Sequence, residues 1–177
     1  MANSATTGST LRTCSESASD ATETLKTATL PLCGMSVELP FAPVDAVIRR
    51  NAGDLRVSRG ATAELARRIQ TRGARLAADA AEDATADGRK TLMAADFGVE
   101  RVPDKDSLEL PIAPVDRIAR LEIDDRYRVA MDARVALATL LESFADDVAA
   151  AAATLARRRT VKAEDVATYF ELGQYFE

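Results

Sequence analysis

The chain has 177 residues, 47% hydrophobic but only 5% aromatic, with a net charge of −5, no Trp and no His. Without imidazole the commonest general base and the commonest metal ligand are missing, and the only cysteines, Cys14 and Cys33, precede the patterned part of the chain. No metal, no cofactor and no thiol nucleophile are therefore expected in that part, and a zinc site built from carboxylates alone is improbable. No apolar run reaches the roughly 18 residues of a membrane span, and the start lacks a signal-peptide block. Two free thiols in a reducing cytosol fit better than a disulfide that would staple only the tail.

Residues 1–35 are a different material from the rest. Thirteen of the first 34 residues are Ser or Thr, without hydrophobic period. A disordered tail is expected here. The alternative is a mis-assigned start, with translation beginning at Met35.

From there the chain says nearly the same thing twice. Glu38-Leu39-Pro40-Phe41-Ala42-Pro43-Val44-Asp45 returns 71 residues later as Glu109-Leu110-Pro111-Ile112-Ala113-Pro114-Val115-Asp116. Arg89-Lys90-Thr91-Leu92-Met93-Ala94-Ala95-Asp96 returns 69 residues later as Arg158-Arg159-Thr160-Val161-Lys162-Ala163-Glu164-Asp165. Two markers in the same order at nearly the same interval indicate a duplicated unit. A unit of about seventy residues buries little core alone, so each copy is expected to complete the other. The units are taken as residues 36–103 and 104–177.

In the first unit Pro43 suits the first turn of a helix that runs to about Ala52, where Gly53 stops it. Arg56-Val57 is an extended pair, and Ser58 is a plausible N-cap for a long helix. Ala61, Leu65, Ile69, Leu76 and Ala80 fall near helical spacing along it, and it should end near Gly88. Thr91-Leu92 is a second extended pair, and Ala94 to about Glu100 forms a short last helix. Pro103 and Asp104-Lys105-Asp106 make the linker.

The second unit follows suit. Pro114 opens a helix to about Leu121, Asp124-Asp125 lie in a loop, and Arg128-Val129 is extended. The long helix carries Val135, Leu140, Phe144, Val148 and Leu155, and its start has Ala130 where Ser58 stood. Thr160-Val161 is extended. A last helix runs from about Lys162 to Leu172, with Thr160 as a candidate cap and acids in its first turns, where they complement the helix dipole.

This ordered set resembles the archaeal histones. The resemblance rests on Glu-Leu-Pro-[Phe/Ile]-Ala-Pro-Val, on the Arg-Val before each long helix and on Gly-Arg-Lys-Thr…Ala-Asp, and it covers residues 36–177 twice. It implies an all-α protein of two tandem histone folds, each short–long–short in its helices. The two would pair in an intramolecular handshake, a pseudo-dimer like the fused doublets of haloarchaea. Of the 23 basic residues 19 are Arg, and Asp outnumbers Glu 16 to 12, a balance that resembles proteins of salt-loving archaea. A GC-rich genome gives the same bias.

The resemblance also implies roles. Arg89 with Asp96, and Arg158 with Asp165, would be salt bridges that fix the second loop of each fold. Arg56 and Arg128 would enter the DNA minor groove, where a cation meets concentrated negative potential without base-specific bonding; a solvated loop Arg is the bland reading. Lys90, Thr91, Arg159 and Thr160 would face phosphates. Arg49, Arg50, Arg117 and Arg120 on the first helices could touch the DNA backbone; Arg49, Arg50 and Arg120 read equally as solvated charges. The first unit has Ala46 where the second has Arg117, which removes one phosphate contact. Arg67, Arg68, Arg72 and Arg75 read as solvated or paired with Glu64, Asp79 and the other half.

The function implied is a chromatin protein of the cytoplasm, associated with the chromosome. It would bind double-stranded DNA largely without regard to sequence, bending and compacting it. The alternative is a transcription regulator or protein-interaction module on the same scaffold, with weak and sparse DNA binding. The acidic balance of residues 104–177, with 10 basic and 15 acidic side chains against 11 and 10 in residues 36–103, favours that alternative. Stacking into long particles is not expected, because the matching stretches lack the family's His. A tetramer through the Leu155 end, or another histone-fold partner, stays open. An enzyme has nothing behind it: there is no Gly-rich phosphate loop and no Ser-nucleophile motif.

Overall fold

Long, Ala-rich segments with apolar side chains every three or four residues set the architecture. In a computed structural model the described residues, 36–174, hold five α-helices and four two-residue strands. The tail expected over residues 1–35 lies outside them. In chain order the elements are α1 (Phe41–Ala52), β1 (Arg56–Val57), α2 (Arg59–Ala86), β2 (Thr91–Leu92), a 3-10 turn (Ala94–Phe97), α3 (Ile112–Ala119), β3 (Arg128–Val129), α4 (Met131–Leu155), β4 (Thr160–Val161) and α5 (Ala163–Gly173). A second 3-10 turn, Lys105–Ser107, lies in the linker.

The two repeats clasp head to tail. β1 of the first repeat pairs in parallel with β4 of the second, and β2 of the first with β3 of the second. Parallel partners cannot come from one tight hairpin; here both long helices lie between β1 and β4, and the linker with α3 lies between β2 and β3. Each short helix packs against the long helices of both repeats: α1 and α3 each touch α2 and α4, and so does α5. The result is one shared core, in which Val44, Val47, Leu65, Ile69 and Leu92 of the first repeat meet Val115, Ile118, Leu137, Leu141 and Val161 of the second.

Side-chain capping differs between the two long helices. Ser58 caps α2, accepting from the backbone N–H of Ala61 at 3.2 Å, while Ala130 gives α4 no side-chain cap. Buried polar groups tie the incoming chain to the long helices. Gln70 accepts from Glu38 N–H and donates to Ser36 O, at 2.9 and 3.2 Å. Its counterpart Glu142 accepts from Glu109 N–H at 2.9 Å.

Three expectations need correction. The first helix of the second repeat starts two residues before Pro114, with Pro111 as its N-cap residue, while Pro43 lies in the first turn of α1 as expected. The last helix of the first repeat is only a 3-10 turn, because Gly98 adopts the left-handed conformation (φ 69°) and ends it. The second repeat has no such Gly until Gly173, so α5 runs a full eleven residues. Thr160 is in β4, and does not cap α5: Asp165 accepts from the Lys162 N–H at 2.7 Å instead.

At Gly73 α2 approaches the second repeat closely. A Cβ there would lie 2.7 Å from Ile118 Cγ2 and 3.0 Å from Leu141 Cδ1, both in the core. Gly60, in the first turn of α2, leaves ordinary room, with Ala163 Cβ at 3.6 Å. Gly73→Leu should therefore destabilise by about 2–4 kcal/mol through overpacking. Gly60→Ala should gain about 0.5–1 kcal/mol from helix propensity. Urea unfolding of both variants measures this; equal stabilities would refute the close approach.

Candidate nucleic-acid interface

The strand registers bring the expected loop residues together in pairs. Arg56 is opposite Thr160, and Thr91 is opposite Arg128, so each strand pair presents one Arg beside one Thr. The backbone fixes both. Arg56 N–H donates to Arg159 O at 2.9 Å and Ser58 N–H to Val161 O at 3.0 Å. At the other pair Arg128 N–H donates to Lys90 O at 2.9 Å and Ala130 N–H to Leu92 O at 3.1 Å. Leu92, Val129 and Val161 turn into the core, and alternation sends Arg56, Arg128 and Thr91 to solvent. Lys90 and Arg159 are exposed beside them, and Thr160 is half-buried. The pairs stand before and after α2, whose 28 residues place them about 40 Å apart.

The Arg–Asp pairs brace these loops. Arg89 holds Asp96 with two parallel bonds, Nη2 to Oδ1 at 2.6 Å and Nη1 to Oδ2 at 3.0 Å, and also donates to Asp87 at 2.8 Å and to Thr91 O at 3.2 Å. Asp96 Oδ2 accepts from Met93 N–H at 2.7 Å, so one carboxylate caps the 3-10 turn and anchors the loop. The Arg89 bond, opposed by burial and assisted by the Met93 amide, holds this carboxyl below its ordinary range. The second repeat is looser. Arg158 bonds Glu164 at 2.9 Å and stands 3.7 Å from Asp165. Ala95 occupies the place of Glu164 in the first repeat, and the second carboxylate on Arg89, Asp87, leaves the Asp96 pair intact.

The first-helix arginines behave differently. Arg49 and Arg120 each pair with an acid four residues earlier, Asp45 and Asp116, and remain exposed. Arg117 meets Glu38 of the other repeat at 3.3 Å. Asp116 Oδ1 is buried 3.0 Å from Arg134 Nε without hydrogen-bond alignment, since that N–H donates to Val129 O.

Arg50 does not fit the expected backbone contact. Its guanidinium donates to Asp146 and to Glu142 of α4, the latter at 2.9 Å, and Asn51 donates to the same Asp146. The Asp146 bond raises the Arg50 pKa above its ordinary value, against burial. Burial pushes Asp146 up, but the Arg50 and Asn51 bonds outweigh it and leave its pKa lowered. Arg50 is thus a clamp between the repeats. Only the i, i+4 spacing of Glu142 and Asp146 signals it in the sequence.

Other arginines also have partners. Arg67 and Arg68 share Glu64 at 2.7 and 2.9 Å, and Arg68 stacks over the Phe170 ring of α5 at 4.4 Å. Three further residues at the loop ends were missed by sequence reasoning. Arg59 and Lys162 are exposed next to β1 and β4. Tyr127, buried before β3, shares a hydrogen bond with Thr85 across the repeats, and this bond, with a second from Arg126, lowers its pKa.

The family described as histone-like transcription factor (CBF/NF-Y) and archaeal histone matches residues 37–98 and again 108–168. The chain belongs to this family. A subunit of the archaeal histone HAN1 from Thermococcus zilligii is 51% identical over 61 residues, 33% of this chain and 88% of that protein. The crystal structure of the histone from Methanopyrus kandleri superposes with a TM-score of 0.57 at 26% identity, covering 72% of this chain and 90% of that one. A protein from Thermus thermophilus shares the fold alone, with a TM-score of 0.59 at 17% identity over 79% of this chain and 99% of that one. Histone-fold proteins of this family are non-enzymatic, bind DNA and form dimers or oligomers, and this one is a DNA-binding protein of chromatin, associated with the chromosome. Among the described residues no helix is long and apolar enough to cross a membrane.

Asp96→Ala should lower the melting temperature by several degrees while DNA affinity at 20 °C changes less than twofold. Because the folded-state pKa of Asp96 is depressed, its contribution is complete above the unfolded carboxylate pKa, about 3.9. It is lost as pH falls through the folded value. Asp96→Asn should therefore flatten the acid limb of the stability curve. Melting curves from pH 2 to 7 check this, and an unchanged acid limb would contradict it.

Proposed function

We propose that this histone-fold chain binds double-stranded DNA largely independently of sequence, and bends and compacts it, as an intrachain pseudo-dimer of residues 36–103 and 104–177. The observation that carries the reading is the repeated Arg–Thr register, Arg56 with Thr160 and Thr91 with Arg128. Each pair offers a minor-groove cation and a hydroxyl, with Lys90 or Arg159 beside it for phosphate. Their separation of about 40 Å compares with the roughly 34–36 Å of one duplex turn, so both meet successive inward-facing minor grooves of a bent duplex. Arg49, Arg117 and Arg120 add backbone contacts between the ends, weakened by the acids beside them. Arg50 does not contribute.

A second reading is favoured by one observation, the 15 acidic against 10 basic side chains of residues 104–177. It is a regulator with sparse DNA sites or chiefly protein partners, including a tetramer partner at the Leu155 end of α4. Broad, periodic genome occupancy supports the compacting role; isolated peaks support the regulator.

The Arg-over-Lys, Asp-rich composition suits a cell with concentrated salt. Affinity for phosphates falls with salt at a log–log slope of about −0.9 per neutralised phosphate. Binding of the chain to a 60-bp duplex over a potassium chloride series should give such a slope. Arg56→Ala with Arg128→Ala should weaken binding at least tenfold at low salt and leave the melting temperature unchanged. Parental affinity in the double variant would refute the minor-groove assignment.

A further inference from the structure

The two strand-pair ends occupy equivalent places but carry different chemistry. Arg59 and Met131 are each the first residue of a long helix, α2 and α4. Lys162 and Met93 are each the N-cap residue before the last element of a repeat, and each has its N–H bonded to the Asp three residues on. Where the β1–β4 end has Arg59 and Lys162, the β2–β3 end therefore has Met131 and Met93. Both methionines are large apolar side chains left in solvent, 58% and 46% exposed.

The charge follows the same division. Residues 52–60 and 156–165, around β1 and β4, hold six basic and three acidic side chains, net +3. The equivalent residues 124–132 and 87–96, around β3 and β2, hold four basic and five acidic, net −1. Of those four, Arg89 is committed to Asp96 and Asp87, and Arg126 lies against the Tyr127 ring at 5.1 Å and 4.0 Å from Asp124. Arg128 and Lys90 are what remain for a polyanion, whereas at the β1–β4 end, with Arg158 held by Glu164, Arg56, Arg59, Arg157, Arg159 and Lys162 remain. At about 40 Å apart the ends lie several Debye lengths from each other in 0.15 M salt. A duplex therefore meets them as two independent fields, one attractive and one near neutral.

We propose that the DNA-binding edge is polar: the duplex is held first and most tightly at the β1–β4 end, and the β2–β3 end, with Met93 and Met131, engages weakly. This rests on the duplex-binding reading and adds a direction to it. The β2–β3 end releases DNA at lower salt than the β1–β4 end, so the bend opens from one side. Met93 and Met131 are the specificity-determining positions, since basic residues there would equalise the ends.

The test uses the full chain, a 60-bp duplex and three variants checked for parental melting temperature. Arg56→Ala should weaken binding at least tenfold and Arg128→Ala less than threefold. Met93→Lys with Met131→Arg should tighten binding at least threefold and steepen the log–log salt slope by about one to two. Equal losses from the two Arg variants, or a larger loss from Arg128→Ala, overturn the polarity while leaving duplex binding intact. No loss from either overturns the duplex-binding reading itself. A methionine variant that binds no tighter overturns the role given to Met93 and Met131.

Discussion

Everything rests on where four short strands find their hydrogen-bond partners. A two-residue strand has no stability alone, and its N–H and C=O groups cost free energy if they are buried unpaired. Here each loop strand of one repeat is satisfied by a loop strand of the other, Arg56–Val57 by Thr160–Val161 and Arg128–Val129 by Thr91–Leu92. The inward side chains of those strands enter the shared core, so loop pairing and core formation are one event. The separation and orientation of the outward Arg and Thr side chains follow directly.

The repeats are alike in fold yet not interchangeable. Arg50 reaches Glu142 and Asp146, but in the reverse sense Leu121 stands in place of Arg50, with Gln70 and Ala74 in place of the two acids. Gly73 makes room for Ile118, while its counterpart in α4 is Ala145 and the counterpart of Ile118 is Val47. Charge and shape therefore both match when unlike repeats meet. Two first repeats would leave Arg50 facing Ala74, and two second repeats would set Leu121 against carboxylates. Breaking such a clamp is costlier than its net contribution, because the surviving charges stay partly desolvated. Specificity of pairing is the better account of why it is there.

Much of this was legible in the chain. The extended pairs at 56–57, 91–92, 128–129 and 160–161 follow from repeated Arg-Val and Thr-Leu or Thr-Val motifs, and the long helices from apolar spacing. Ser58 was readable as a cap because its chemistry is local. What was not legible is tertiary or subtle. The shrinking of the last helix of the first repeat turns on the single left-handed Gly98. Thr160 was misread because a Thr before a helix usually caps it, whereas here cross-repeat pairing holds it in a strand. Arg50 looked like any exposed helix Arg, and only the packing of α1 on α4 reveals its carboxylate partners. The imbalance of the two ends needed the strand pairing, which brings the segments of Arg59 and Lys162 to one end and those of Met131 and Met93 to the other.

The decisive measurement is the connectivity of a cross-link between strands in register. With Cys14 and Cys33 replaced by Ser, cysteines at positions 56 and 160 face each other on β1 and β4, and adjacent strands lie within the roughly 4.4–6.8 Å Cα separation that a disulfide spans. Oxidation at several protein concentrations, read on a non-reducing gel, should give a monomer linked within itself, with a yield independent of concentration. Disulfide-linked dimers whose fraction rises with concentration would show that the repeats clasp between chains, and the account would fail.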